Sequence, residues 1–72
     1  MNRIKVYTVE VFEKRIVRAL KNAKYGLEVR YLFEATDPDL LGYRQFCEAL
    51  GNLQMQGKVA YREDLESYLL VR

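Results

Sequence analysis

The segment 46–59, with the sequence FCEALGNLQMQGKV, contains a helical stretch, a terminating glycine and the start of a strand. Its apolar residues recur at steps of three and four, as they do along one buried side of a helix. These residues are Phe46, Ala49, Leu50 and Leu53. Gly57 suits the left-handed position that ends many helices. The segment therefore predicts a helix that begins at residue 40 or 41, ends at residue 56 and leads directly into a strand.

Two further helices are predicted upstream of this segment. Residues 9–24 carry apolar side chains at helical spacing, and Thr8 suits the position that caps a helix N-terminus. Gly26 then provides a left-handed stop. Residues 28–35 predict a second, shorter helix, which Pro38 ends because proline disfavours helical geometry at the preceding residue. In the turn that follows, we expect an aspartate to cap the third helix, with Pro38 at its first position.

Strand patterns lie at both ends of the chain. Residues 3–7 alternate between apolar and other side chains, which predicts a short N-terminal strand. Residues 58–62 and 67–71 alternate in the same way around a polar connection at 63–66, which predicts a C-terminal β-hairpin. The chain of 72 residues has room for one small domain. We therefore predict a single α+β domain over residues 1–72.

The composition argues against an enzyme. The chain has no histidine, the commonest general base near neutral pH and a frequent metal ligand. It has one cysteine, too few for a zinc site or an internal disulfide, and its four glycines do not form a phosphate-binding loop. We expect no cofactor, no metal and no small-molecule substrate. The lack of a disulfide favours a cytoplasmic protein, and no apolar run is long enough to span a membrane.

Charge is distributed unevenly along the chain. Residues 1–24 hold seven basic and two acidic side chains, a net charge of +5. Residues 25–72 hold five basic and eight acidic side chains, a net charge of −3. Lys14, Arg18 and Lys21 lie on the polar side of the first helix, where they form either a phosphate-binding surface or an ordinary solvated face.

The order of elements, with segment 46–59 as its most specific part, resembles the winged helix-turn-helix superfamily of DNA-binding domains. Small regulators of archaea, plasmids and viruses are the nearest type. The resemblance implies three helices with a C-terminal hairpin as the wing and a short N-terminal strand. It also implies binding to double-stranded DNA, in transcriptional or replication control, with the third helix in the major groove.

The resemblance also implies which residues meet DNA. By position on the third helix, the residues that face DNA are Tyr43, Arg44, Gln45, Glu48 and Asn52. The guanidinium of Arg44 can donate two parallel hydrogen bonds to guanine. The amide of Gln45 or Asn52 can pair with adenine, and the carboxylate of Glu48 can accept a hydrogen bond from cytosine. Lys58 and Arg62 in the wing would contact phosphates. Because strong binding needs several such contacts, the others would have to come from Arg3, Lys5, Lys14, Arg18 and Lys21.

Some assignments stay open at this stage. Tyr43 either contacts a phosphate or packs at the edge of the core, and Cys47 is expected to be a half-buried filler. Val11 and Val17 are either isolated surface residues or part of a homodimer contact, and a homodimer is expected because small domains gain stability by pairing. The alternative function is a winged-helix adaptor that binds a protein partner rather than DNA.

Overall fold

The computed structural model describes residues 7–71, which form three helices followed by a two-stranded antiparallel hairpin. The elements are α1 (Val9–Lys21), α2 (Val29–Thr36), α3 (Tyr43–Met55), β1 (Val59–Arg62) and β2 (Ser67–Leu70). This α+β order confirms the predicted fold class and is consistent with a winged helix. Most of the N-terminal strand expected at residues 3–7 lies outside the described residues, and Tyr7, the part described, is not in a strand.

The hairpin sheet gains a third partner from the segment between α1 and α2. Leu27 forms a single antiparallel bridge with Tyr68 of β2: the Leu27 N–H donates to the Tyr68 carbonyl at 3.0 Å, and the Tyr68 N–H donates back at 2.8 Å. Gly26 precedes this bridge with a φ of +82°, and a Cβ at this position would collide with the Tyr68 carbonyl oxygen. The bridge therefore ties the hairpin to the helices.

The core lies between the three helices and the first strand. Its buried apolar members come from each of these elements; they are Phe12, Ile16, Leu20, Leu32, Phe46, Ala49, Leu50, Leu53 and Val59. The periodic side of the third helix is thus confirmed as the buried one. The side chain of Arg15 links α1 to the end of α2, because its Nη1 donates to the Thr36 carbonyl at 2.9 Å.

Several element boundaries differ from the sequence prediction. α1 ends at Lys21 rather than near residue 24, although the Thr8 hydroxyl caps its start as expected by accepting from the Val11 N–H. α3 begins two to three residues later than expected. Leu40 has a φ of 55°, outside helical geometry, and Gly42 is the N-cap. Pro38 therefore lies in the turn and not at the first position of the helix.

Candidate nucleic-acid interface

The start of α3 is fixed by a buried carboxylate in the turn between α2 and α3. Asp37 is only 2% exposed, and its Oδ2 accepts a hydrogen bond from the Gly42 N–H at 2.7 Å. Gly42 also packs tightly against α1, because a Cβ there would lie 2.8 Å from the ring of Phe12. The expectation that an aspartate caps α3 is wrong, since Gly42 is the N-cap and no side chain in the described part of the chain caps this helix. Asp37 instead holds the N-cap residue in place through the Gly42 N–H.

The outward side of α3 carries two of the charged residues assigned to DNA. Arg44 and Glu48 are exposed and lie one helical turn apart, and no ion pair of Arg44 is found among residues 7–71. Cys47 lies on the same side and is exposed, so its expected role as a half-buried filler is wrong. The reason is geometric: one residue step along a helix turns about 100°, which carries Cys47 off the buried side that contains Phe46.

Tyr43 packs at the edge of the core, which is one of the two roles considered for it. Its ring centroid lies 5.1 Å from that of Phe33 and 6.2 Å from that of Phe46, so one edge joins the core. The residue is nevertheless 56% exposed. Hydrogen bonding with the Cys47 side chain, one turn later, is the main reason why the pKa of Tyr43 is raised. The exposed phenol lies at the start of α3, where it can donate a hydrogen bond.

Gln45 and Asn52 do not lie on the outward side of α3 with Arg44. Both are half-buried, and the Asn52 amide nitrogen lies 3.4 Å from Oε2 of Glu13 on α1, a long hydrogen bond. The assignment of Asn52 to the same side of α3 as Arg44 and Glu48 is therefore corrected: it lies on the flank of α3 that contacts α1. Its amide nitrogen is engaged there by Glu13.

The predicted basic residues of α1 come together with a residue from the other end of the chain. Lys14, Arg18, Lys21 and Lys58 line one groove of about 660 Å³, which we call the basic groove. Val17 and Leu53 give it an apolar floor, and its remaining lining residues are Glu10, Glu13 and Asn22. Four basic and two acidic side chains leave this groove with a net charge of +2. The sequence did not predict that Lys58 would join the α1 residues.

Lys58 is held firmly at the edge of the basic groove by its own backbone. Its N–H donates to the Leu53 carbonyl at 2.9 Å, and its carbonyl accepts from the Val71 N–H at 2.9 Å. The left-handed Gly57, with a φ of +74°, turns the chain from α3 toward this position. The ammonium group of Lys58 therefore extends from a fixed point beside α1.

Arg62 is placed differently from the other residues assigned to phosphates. Its guanidinium donates two hydrogen bonds to the carboxylate of Asp64, from Nε at 2.9 Å and from Nη2 at 2.7 Å. The hydrogen bonds from Arg62 lower the pKa of Asp64, and the same bonds raise the pKa of Arg62. An Arg-x-Asp spacing at the end of the first hairpin strand is the sequence signal for this pair. Arg62 is thus occupied at the hairpin and is a weaker candidate than Lys58.

The described residues contain no cluster of side chains suited to hold a metal ion. None of the helices between residues 7 and 71 is long and apolar enough to cross a membrane. Comparisons with protein-family models, with curated proteins and with solved structures give no match to this chain.

Proposed function

We propose that this protein is a winged-helix domain that binds double-stranded DNA and acts as a transcriptional or replication regulator. The observation that supports this best is the basic groove, where Lys14, Arg18, Lys21 and Lys58 are gathered beside α3. Phosphate contacts from lysine and arginine supply most of the sequence-independent affinity for DNA. The contact between Asn52 and Glu13, at 3.4 Å, joins α3 to a residue that lines this groove.

In this proposal, affinity and specificity come from different parts of the molecule. The basic groove follows the phosphate backbone, and the first half of α3 enters the major groove. Arg44 reads guanine with its two-pronged guanidinium, and Glu48 accepts a hydrogen bond from cytosine. Tyr43 donates its phenol proton to a phosphate at the edge of the groove. Gln45 and Asn52 contribute less to DNA binding because both are half-buried, and Asn52 also contacts Glu13. Arg62 contributes less because its guanidinium is paired with Asp64.

The experiment compares Arg44→Ala and Arg44→Lys with the natural protein on a selected duplex and on random duplex DNA. We expect Arg44→Ala to lose about 1–3 kcal/mol on the selected duplex and much less on random DNA. Arg44→Lys keeps the charge but loses the planar guanidinium that donates two hydrogen bonds to one base. It should therefore lose sequence specificity and keep its affinity for random DNA. Equal losses on both duplexes would make Arg44 a phosphate contact rather than a base reader.

A second candidate, a protein-binding adaptor, is favoured by the surface that α3 shares with the hairpin. This surface is not basic: Arg44 is offset by Glu48 and Arg62 by Asp64, and Glu63 and Glu66 leave the hairpin tip negative. It also exposes apolar side chains, with Met55 86% exposed. If folded protein shows no affinity for duplex DNA at low salt, the adaptor function is supported and DNA binding is contradicted.

A further inference from the structure

The hairpin connection is acidic, whereas the basic groove carries a net positive charge. We propose that the tip of the hairpin, residues 63–66, docks into the basic groove of a second copy of this chain. The tip would place Leu65 on the apolar floor of the groove and the carboxylates of Glu63 and Glu66 beside its lysines. This self-association does not rest on the proposed DNA binding, but it uses the same basic groove, so the tip and DNA would compete for it.

The hairpin tip is an ordered structure rather than a loose connection. The Leu65 N–H donates to the Arg62 carbonyl at 3.2 Å, and the Glu66 N–H donates to the Glu63 carbonyl at 3.2 Å. The Ser67 hydroxyl donates to the Leu65 carbonyl at 2.9 Å. Leu65 is 42% exposed within this framework. Because the tip is ordered before it binds, little conformational entropy is lost on docking.

Glu66 occupies a position where glycine would be less strained. Its φ of 50° lies in the left-handed region, which is strained for a residue with a Cβ. Glycine adopts this conformation without that strain. The glutamate therefore provides a carboxylate at the tip at some expense of stability, as is common for residues that contact a partner.

The two surfaces match in charge and in polarity. Arg62 offsets Asp64, so the charge of the tip that remains is that of Glu63 and Glu66, about −2. The basic groove has four basic and two acidic side chains, a net charge of +2. Val17 and Leu53 form an apolar floor between the lysines, which suits the single exposed leucine of the tip.

A copy of the chain cannot fill its own groove with its own tip. Lys58 lies at the base of the hairpin, and the four extended residues of β1 separate it from the tip. At about 3.4 Å per residue this separation is about 14 Å, and the pairing of β1 with β2 holds the tip away from the base of the hairpin. The contact is therefore intermolecular and joins two different surfaces, so copies associate either head to tail or by a reciprocal exchange of tips between two copies.

The test uses complementary variants in solution without DNA. Leu65→Ser with Glu66→Gly removes the tip contacts and relieves the strained backbone, so this variant should fold. Lys14→Glu with Lys21→Glu reverses the charge of two side chains that line the basic groove. Lys24→Glu is the control, since Lys24 is exposed but does not line this groove. Circular dichroism checks each fold, and sedimentation velocity measures mass over a range of protein concentration and salt.

We expect the natural protein and the Lys24→Glu control to gain mass with concentration and to lose it with added salt. Each double variant alone should stay at 8.5 kDa. An equimolar mixture of the two should form a dimer that grows no further, because it retains one intact groove and one intact tip. A natural protein that stays monomeric at all concentrations would overturn the proposal. So would a mixture that fails to associate while the natural protein does.

Discussion

The carboxylate of Asp37 accepts a hydrogen bond from the backbone N–H of Gly42 at 2.7 Å, and this buried bond connects the end of α2 to the start of α3. The same Gly42 touches the ring of Phe12 on α1. The position of the outward residues of α3 thus depends on a contact inside the turn. Disturbing it should affect both stability and the direction of the helix.

We expect Asp37→Ala to lower the free energy of unfolding by about 1–3 kcal/mol, because the Gly42 N–H is then left buried without a partner. Asp39→Ala is the matched control, since Asp39 is exposed in the same turn. Urea unfolding followed by circular dichroism measures both. Equal and small changes in the two variants would show that the buried bond does not hold the turn.

Leu50 is a direct test of the packing of α3. It is buried together with Phe46 on the inner side of the helix. We expect Leu50→Ala to cost about 2–5 kcal/mol through lost burial and the cavity left behind, which is enough to unfold a domain of this size. A thermal melt that stays near that of the natural protein would contradict the helix register.

Alanine substitutions at two glycines with left-handed backbone, Gly26 and Gly57, distinguish the cost of backbone strain from the cost of a steric clash. Gly26 and Gly57 both have positive φ, but a Cβ at Gly26 would collide with the Tyr68 carbonyl, whereas a Cβ at Gly57 has open space around it. We expect Gly57→Ala to cost about 1–2 kcal/mol from the backbone alone. Gly26→Ala should cost more and should increase hydrogen exchange at the Leu27 amide. Equal costs would mean that the bridge to Tyr68 adapts to the extra methyl group.

The pair formed by Arg62 and Asp64 predicts a pH dependence with a defined sign. Because the pKa of Asp64 is lowered in the folded state, its charged form favours folding at pH values above the unfolded pKa. That contribution is lost as the pH falls through the lowered pKa. NMR titration of the Asp64 carboxyl should therefore show its pKa rising toward the ordinary aspartate value in Arg62→Gln. No change in that pKa would mean that the pair does not persist in solution.

Much of the fold follows from repeating patterns in the sequence. Apolar spacing predicted the buried sides of α1 and α3, and the two alternating segments predicted the hairpin. The bridge at Leu27 was not predicted, because one residue has no periodicity to detect. The start of α3 was placed too early, because nothing in the sequence signals the left-handed backbone of Leu40.

Less of the candidate site than of the fold could be predicted from the sequence. The exposure of Arg44 and Glu48 follows from helical spacing alone. The association of Lys58 with Lys14 depends on how the hairpin returns to α1, which is a tertiary feature. The engagement of Asn52 by Glu13 and of Arg62 by Asp64 likewise requires knowledge of neighbours in space.

The most direct test of DNA binding through the basic groove is a salt series with random duplex DNA. We expect the logarithm of the binding constant to fall linearly with the logarithm of salt concentration, because phosphate contacts release counterions. Lys14→Ala, Arg18→Ala, Lys21→Ala and Lys58→Ala should each reduce the slope by about one unit, whereas Lys24→Ala should leave it unchanged. No binding at low salt, or a slope that none of the four groove variants changes, would contradict the proposed function.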